Sequence, residues 1–177
     1  MSGPARLPFV TEAGGDPTLT EIFEVFSSQD RPVPELYQLL ANAPQMLRAW
    51  TGIAWPLRND AECPRRLREL IILRIAQLTD ASYEWESHLG FAERHGVRPT
   101  QVDALRDWQT SAEFDDRERA LLQLADQLTL CGDLPYASFE PLTRHFSDSE
   151  IVEVILTAAF YCCVSRVLKA VALEATP

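Results

Sequence analysis

Between Pro64 and Leu78 the chain carries Leu67, Leu70, Ile71, Leu73, Ile75, Ala76 and Leu78. At about 100° per residue these positions cover most of the circumference of a helix. A helix apolar on nearly every side has no solvent face, so it has to lie at the centre with other elements wrapped around it. The rest of the chain supplies those elements as helices. Asp16-Pro17 is an N-cap with Pro at the first helical position, predicting a short helix to about Ser28. Pro34 opens a helix to about Asn42, which breaks before Pro44 and resumes to about Trp55. Tyr83 to His95 is helical and closed by Gly96. Pro99 to Trp108 and Pro135 to His145 are shorter helices. Asp115-Asp116-Arg117-Glu118 and Ser147-Asp148-Ser149-Glu150 are capping boxes, opening helices to about Gly132 and Leu173. No window has a period-2 strand pattern. The prediction is an all-α fold: a loose arm over 1–15 and a single multi-helix domain over 16–177.

Polar residues on buried helices point to chemistry, because burying them unpaired is costly. The helix 64–78 carries Glu69, Arg74 and Gln77, and the helix 83–95 carries Tyr83, Glu84, Trp85 and His88. Glu84 and His88 are four residues apart and share a face. The short turn Thr79-Asp80-Ala81-Ser82, expected to carry the second helix's N-cap, makes the two helices an antiparallel pair. Their register sets Leu73 opposite His88 and leaves Glu69 about one turn, roughly 6 Å, along. Two carboxylates beside one imidazole favour its charged form and make it a proton donor near neutrality. The bland alternative is a helix-stabilising Glu–His contact. Metal binding by Glu69, Glu84, His88 and His95 has no supporting ligand spacing, so no metal is expected.

Composition bounds the partners. The 177 residues include 26 acidic and 16 basic ones, for a net charge of −10. With no Lys/Arg block, nucleic acid and anionic membranes are not expected partners. The longest apolar run, Ile151 to Val164, is too short to span a bilayer and reads as a buried helix. The N-terminal residues lack a signal-peptide core. Cys63, Cys131, Cys162 and Cys163 form no C-x-x-C pair and read as packing residues. Together these features predict a cytoplasmic protein that meets small molecules.

The stretch RRLRELIILRIAQLTDASYEWESHLGFAERHGV, residues 65–97, resembles the carboxymuconolactone decarboxylase family, which includes the alkylhydroperoxidase-D-like proteins. The core motif covers 64–97. LYQLLANAPQMLRAW, DDRERALLQLADQLT and EIVEVILTAAFYCCVSRVLKAV extend the resemblance more weakly. The peroxidase branch carries Glu, eleven residues, Cys, two residues, Cys, three residues, His. Laid on this chain, that pattern puts Glu on Glu69 and His on His88, with Ala81 and Glu84 at the two cysteine positions. The thiol peroxidase reading therefore loses its nucleophile.

What remains is similar to the thiol-free decarboxylase branch, with Y-E-W-x-x-H in place of the cysteines. The resemblance implies an alkylhydroperoxidase-D-like fold, no cofactor, a homo-oligomer, and a lyase or isomerase moving protons on a small unsaturated carboxylate or lactone. His88, Glu69 and Glu84 would be catalytic. Tyr83 and Trp85 would wall the substrate, and Arg74 or Arg166 would hold its charge, unless each arginine pairs with a buried Glu such as Glu69 or Glu153. The alternative is a family member that binds small molecules or assembles without turnover.

Overall fold

The computed structural model describes residues 5–175. Nine α-helices follow one another: α1 (Pro17–Ser27), α2 (Glu35–Leu40), α3 (Pro44–Asn59), α4 (Arg65–Thr79), α5 (Ser82–Arg94), α6 (Pro99–Ala104), α7 (Asp116–Leu130), α8 (Tyr136–His145) and α9 (Asp148–Val171). One 3₁₀ turn, Leu105–Asp107, follows α6, and there is no strand among the described residues.

The apolar helix α4 is the axis of the molecule. Every residue from Leu67 to Ala76 is buried, with α5, α7 and α9 packed against it. Leu70, Ile71, Leu73, Ile75, Leu121, Leu122 and Leu124 are fully enclosed, and burial of this kind dominates stability. α9 is long and apolar enough to cross a membrane, but 56% of its most apolar stretch is buried, as in a core helix of a soluble-type domain. Its exposed side carries Val152 and Leu156.

The sequence signals account for the boundaries. Asp16 accepts hydrogen bonds from the backbone N–H groups of Thr18 and Leu19, capping α1. Both predicted capping boxes form, Asp115 with Glu118 and Ser147 with Glu150. The α4–α5 turn differs from expectation. Asp80 adopts a left-handed conformation (φ 49°), α5 starts without a side-chain cap at Ala81, and Ser82 Oγ accepts instead from the Ala175 N–H.

A second difference matters more. α3 does not stop at Trp55 but runs to Asn59 with Pro56 inside it. Proline removes one backbone donor, whose i−4 acceptor is the carbonyl of Gly52. Gly52 is exposed, so water can satisfy that carbonyl. The extra turn carries Arg58.

Of the loose arm expected over 1–15, residues 1–4 lie outside the described residues and residues 5–15 are tied to the body. The Arg6 N–H donates to Val171 O at 2.8 Å, the Val10 N–H to Gln38 O at 3.0 Å, and Asn42 Nδ2 to Pro8 O at 2.8 Å. All four cysteines are unpaired; Cys63 and Cys162 are buried, Cys131 and Cys163 exposed.

Candidate functional site

α4 and α5 bring Glu69, Glu84 and His88 together. His88 Nδ1 donates to Glu69 Oε2 at 2.8 Å, so the long side chain of Glu69 closes the one-turn gap without a water. His88 Nε2 lies 3.1 Å from Glu84 Oε1, one turn earlier on α5. All three are buried, at 4%, 0% and 3% exposure for His88, Glu69 and Glu84. Glu69 is also held from its own helix, where Arg65 Nε donates to Oε1 at 2.5 Å and Nη2 makes a second contact. The set is thus two carboxylates, one imidazole and one guanidinium.

The electrostatics follow from this packing. Burial works against an imidazolium at His88. Tyr161 in edge contact and hydrogen bonds to Glu69 and Glu84 outweigh it, raising His88 from 6.5 to about 10. Burial raises Glu69, but its bonds to His88 and Arg65 win and hold it below the usual carboxylate range. Around neutral pH the arrangement is therefore a charged imidazolium with a proton on each nitrogen, clasped by two carboxylates.

A cavity of about 330 Å³ opens beside His88. Phe26, Trp55 and Phe91 supply apolar wall, and Arg31, Arg58 and Arg65 supply cations. Glu69 and Glu84 do not line it, so of the three clasped groups only His88 reaches the space where a ligand can sit.

The other residues proposed from sequence lie elsewhere. Arg74 is engaged by Asp126, through Nε to Oδ1 at 2.6 Å and Nη2 to Oδ2 at 3.0 Å, and also donates to Gln77 and to Leu105 O. Its partner is neither Glu69 nor Glu153, whose carboxylate accepts from the N–H groups of Glu62 and Cys63. Arg166 is exposed and donates to the Cys162 carbonyl on its own helix. Trp85 lines a separate surface cleft with Ala76, Gln77, Asp80, Ala81, Ser82 and Arg106. Tyr83 is half-buried against the start of α2, near Glu35 and Leu36. On α5, Tyr83 stands about 140° round the helix from His88, whereas Trp85 is about 60° from it and is set apart by the cleft it lines rather than by helical phase. His95 is exposed at the cavity rim and hydrogen-bonds Phe91 O at 2.8 Å. Among the described residues no group of three or more His, Cys, Asp and Glu is arranged for a metal ion.

The sequence does not single out the cavity residues Phe26, Arg31, Trp55 and Phe91, nor Arg65, Arg58 and Tyr161. Arg65 had a legible signal, since it stands four residues before Glu69 on the same face. Arg58 was hidden behind Pro56, which reads as a helix stop. Tyr161 contributes an edge-on ring 5.1 Å from the imidazole, and only tertiary packing brings it there.

The helical arrangement is that of the alkylhydroperoxidase AhpD fold. An uncharacterized peroxidase-related protein from Ralstonia eutropha JMP134, with an alkylhydroperoxidase AhpD core, superposes with a TM-score of 0.81 at 23% identity, covering 99% of this chain and 94% of that one. The debrominase Bmp8, as a cysteine-to-alanine variant in complex with 2,3,4-tribromopyrrole, gives 0.76 at 22% identity, over 94% and 91% of the two chains. In sequence, the uncharacterized protein YdfG of Bacillus subtilis (strain 168) is 23% identical over 94 residues, 52% of this chain but just 64% of that relative. The model of the carboxymuconolactone decarboxylase family matches residues 44–127, which include α3, α4 and α5. Over those residues, slightly under half of its length, the chain is similar to that family.

Proposed function

We propose that this chain is a cofactor-free lyase or isomerase that transfers protons on a small unsaturated carboxylate or lactone. The observation that carries the reading is the exposure of His88 alone, among three buried charged groups, to the cavity. The shorter bond to Glu69 fixes the ring, and the longer one to Glu84 leaves the Nε2 proton as the transferable one. A donor raised to about 10 stays protonated near neutral pH and yields its proton only to a strongly basic atom. A carbon in a dienolate is such an atom.

In a decarboxylation the carboxylate carbon leaves as CO₂ and its bonding pair enters the conjugated system. The Nε2 proton ends on carbon, and His88 regains a proton from water. In an isomerisation the Nε2 proton goes to one carbon, and the imidazole left neutral then takes a proton from another carbon, so that His88 ends as it began. Phe26, Trp55 and Phe91 offer the apolar surroundings in which a dispersed charge is favoured over a localised one.

A second reading, binding without turnover, is favoured by one observation: both ring nitrogens already hold carboxylates, so the resting site is closed on itself. A thiol peroxidase has little support. Ala81 and Glu84 stand at the cysteine positions, and burial pushes the Cys63 thiol up to about 11. The reading also places the chain in the cytoplasm, without nucleic-acid or membrane partners, as a homo-oligomer. Its unpaired cysteines and the exposed Met46, Ile53, Val152 and Leu156 support this, and sedimentation at monomer mass at micromolar concentration overturns the oligomer.

The test is a panel of unsaturated ring carboxylates and lactones in deuterium oxide, followed by NMR for carbon-bound deuterium and for released CO₂. Deuterium incorporation that falls about 10²–10⁴-fold in His88→Gln supports proton transfer. Incorporation that survives the substitution overturns it.

A further inference from the structure

The cavity beside His88 contains more positive charge than the clasped set uses. Arg65 is answered by Glu69, and His88 by Glu69 and Glu84 together, so these four groups balance. Arg58 and Arg31 remain. Arg31 is exposed, and its guanidinium donates to Gln29 Oε1 at 3.4 Å. Arg58 is different. It is half-buried on the last turn of α3, and its buried Nε–H has no hydrogen-bond partner. It makes no ion pair among the described residues, although it hydrogen-bonds the Tyr161 hydroxyl and stands near Tyr37 and Glu84.

Its position is nevertheless fixed. Arg65 Nη1 reaches the carbonyl of Arg58 at 3.4 Å, so the arginine that braces Glu69 also braces the turn carrying Arg58. Buried polar atoms in native proteins are nearly always satisfied, and a guanidinium carries a planar fork matched to a carboxylate.

We propose that Arg58 is the anion anchor of the His88 cavity, and that it selects a small, flat organic carboxylate whose apolar body lies against Trp55 and Phe91. The inference rests on the proton-transfer reading for what happens after binding, but not for binding itself. The volume, about 330 Å³, is at the small end of the roughly 300–1,000 Å³ of ligand sites, which suits a single-ring acid. Arg31 at the mouth adds attraction that salt screens.

Benzoate and benzamide have the same shape and differ in charge, so they separate the anchor from the apolar wall. Isothermal titration of the full chain should show benzoate bound at least about tenfold more tightly than benzamide. Arg58→Gln should erase that preference, raising the benzoate Kd about 10- to 100-fold with little change for benzamide. Arg58→Lys should restore part of it, since charge returns without the fork. Arg31→Gln should flatten the salt dependence and keep the preference. Inorganic phosphate should compete poorly, because it has no face for the aromatic wall.

Equal affinity for benzoate and benzamide, binding of neither, or a preference that survives Arg58→Gln overturns the anchor, and phosphate competing as well as benzoate overturns the organic class. Should Arg58→Gln lose its circular dichroism or melting profile, Arg58→Lys decides, and an undiminished preference there counts against the proposal. A His88→Gln chain that keeps the benzoate preference while turnover is unchanged overturns proton transfer and leaves the anchor standing.

Discussion

Glu84 Oε1 lies 3.1 Å from His88 Nε2, at the position where the thiol-bearing pattern of the family has its second cysteine. A carboxylate therefore stands where a thiolate would, and the imidazole keeps an anionic neighbour. What changes is the chemistry of that anion. A carboxylate accepts and returns protons, whereas a thiolate attacks and carries electrons. The imidazole thus keeps an acidic neighbour at a position that carries no thiol.

That exchange is testable at one position. Glu84 lies in the first turn of α5, where the helix dipole favours negative charge, and it faces a charged imidazole. In Glu84→Cys the new thiol should ionise well below the ordinary value of about 8.5. Iodoacetamide labelling followed by peptide mass mapping should show it reacting at neutral pH while buried Cys63 stays unlabelled. A labelling midpoint at or above the ordinary value would show that His88 does not bear a positive charge there.

Glu69→Gln removes the shorter bond to the imidazole along with its negative charge, and leaves Arg65 without its counter-charge. The His88 midpoint should fall from about 10 toward 6.5, read by nitrogen-detected NMR titration of the ring. Proton transfer on any turned-over substrate should fall at least about tenfold, since the ring loses both orientation and charge. An unchanged midpoint would mean that Glu84 and Tyr161 suffice to hold the proton.

Much of this arrangement was written in local spacing. The all-round apolar stretch at 67–78 forced a central helix, the four-residue turn forced its antiparallel neighbour, and helical arithmetic put Glu69 within reach of His88. These are short-range regularities of one polymer geometry. The residues misassigned from sequence share a different property: their roles depend on which distant element arrives. Arg74 interrupts an apolar helix just as an anion-binding arginine would, and nothing local reveals that Asp126 on α7 meets it. Trp85 belongs to the same motif as His88 but lines a separate cleft. Arg58 lies beyond the helix end expected at about Trp55, yet the exposed Gly52 carbonyl one turn before Pro56 makes that proline tolerable inside α3.

The Arg74–Asp126 pair is a buried structural lock rather than a ligand site. Asp126 Oδ2 also accepts from Trp108 Nε1 at 3.1 Å, so one carboxylate joins α4 and α7 to the segment after the 3₁₀ turn. Asp126→Ala leaves a buried guanidinium without its counter-charge and an indole N–H without its acceptor. Removing one partner of a buried pair typically costs about 3–5 kcal/mol. Urea unfolding should show a loss of that size with benzoate affinity unchanged in the folded fraction. A loss below about 1 kcal/mol would mean that water replaces the carboxylate.

The clasp around His88 also sets how stability varies with pH. His88 rises from 6.5 in the unfolded chain to about 10 in the folded one. The folded state therefore binds the proton more tightly, and the resulting stability is fully present below about 6.5 and is lost as pH climbs through about 10. Glu69 is shifted the other way, so its contribution is present above its ordinary value of 4.5 and is lost as pH falls below it. The two effects bracket a window of greatest stability from about 4.5 to 6.5. Melting temperatures measured from pH 5 to pH 10.5 should therefore decline on the alkaline side in the natural chain. In His88→Gln the decline should be shallower, because the substituted amide has no proton to lose. Parallel alkaline slopes in the two proteins would show that the imidazole is neutral at the bottom of the cavity, and would remove the charge on which proton donation depends.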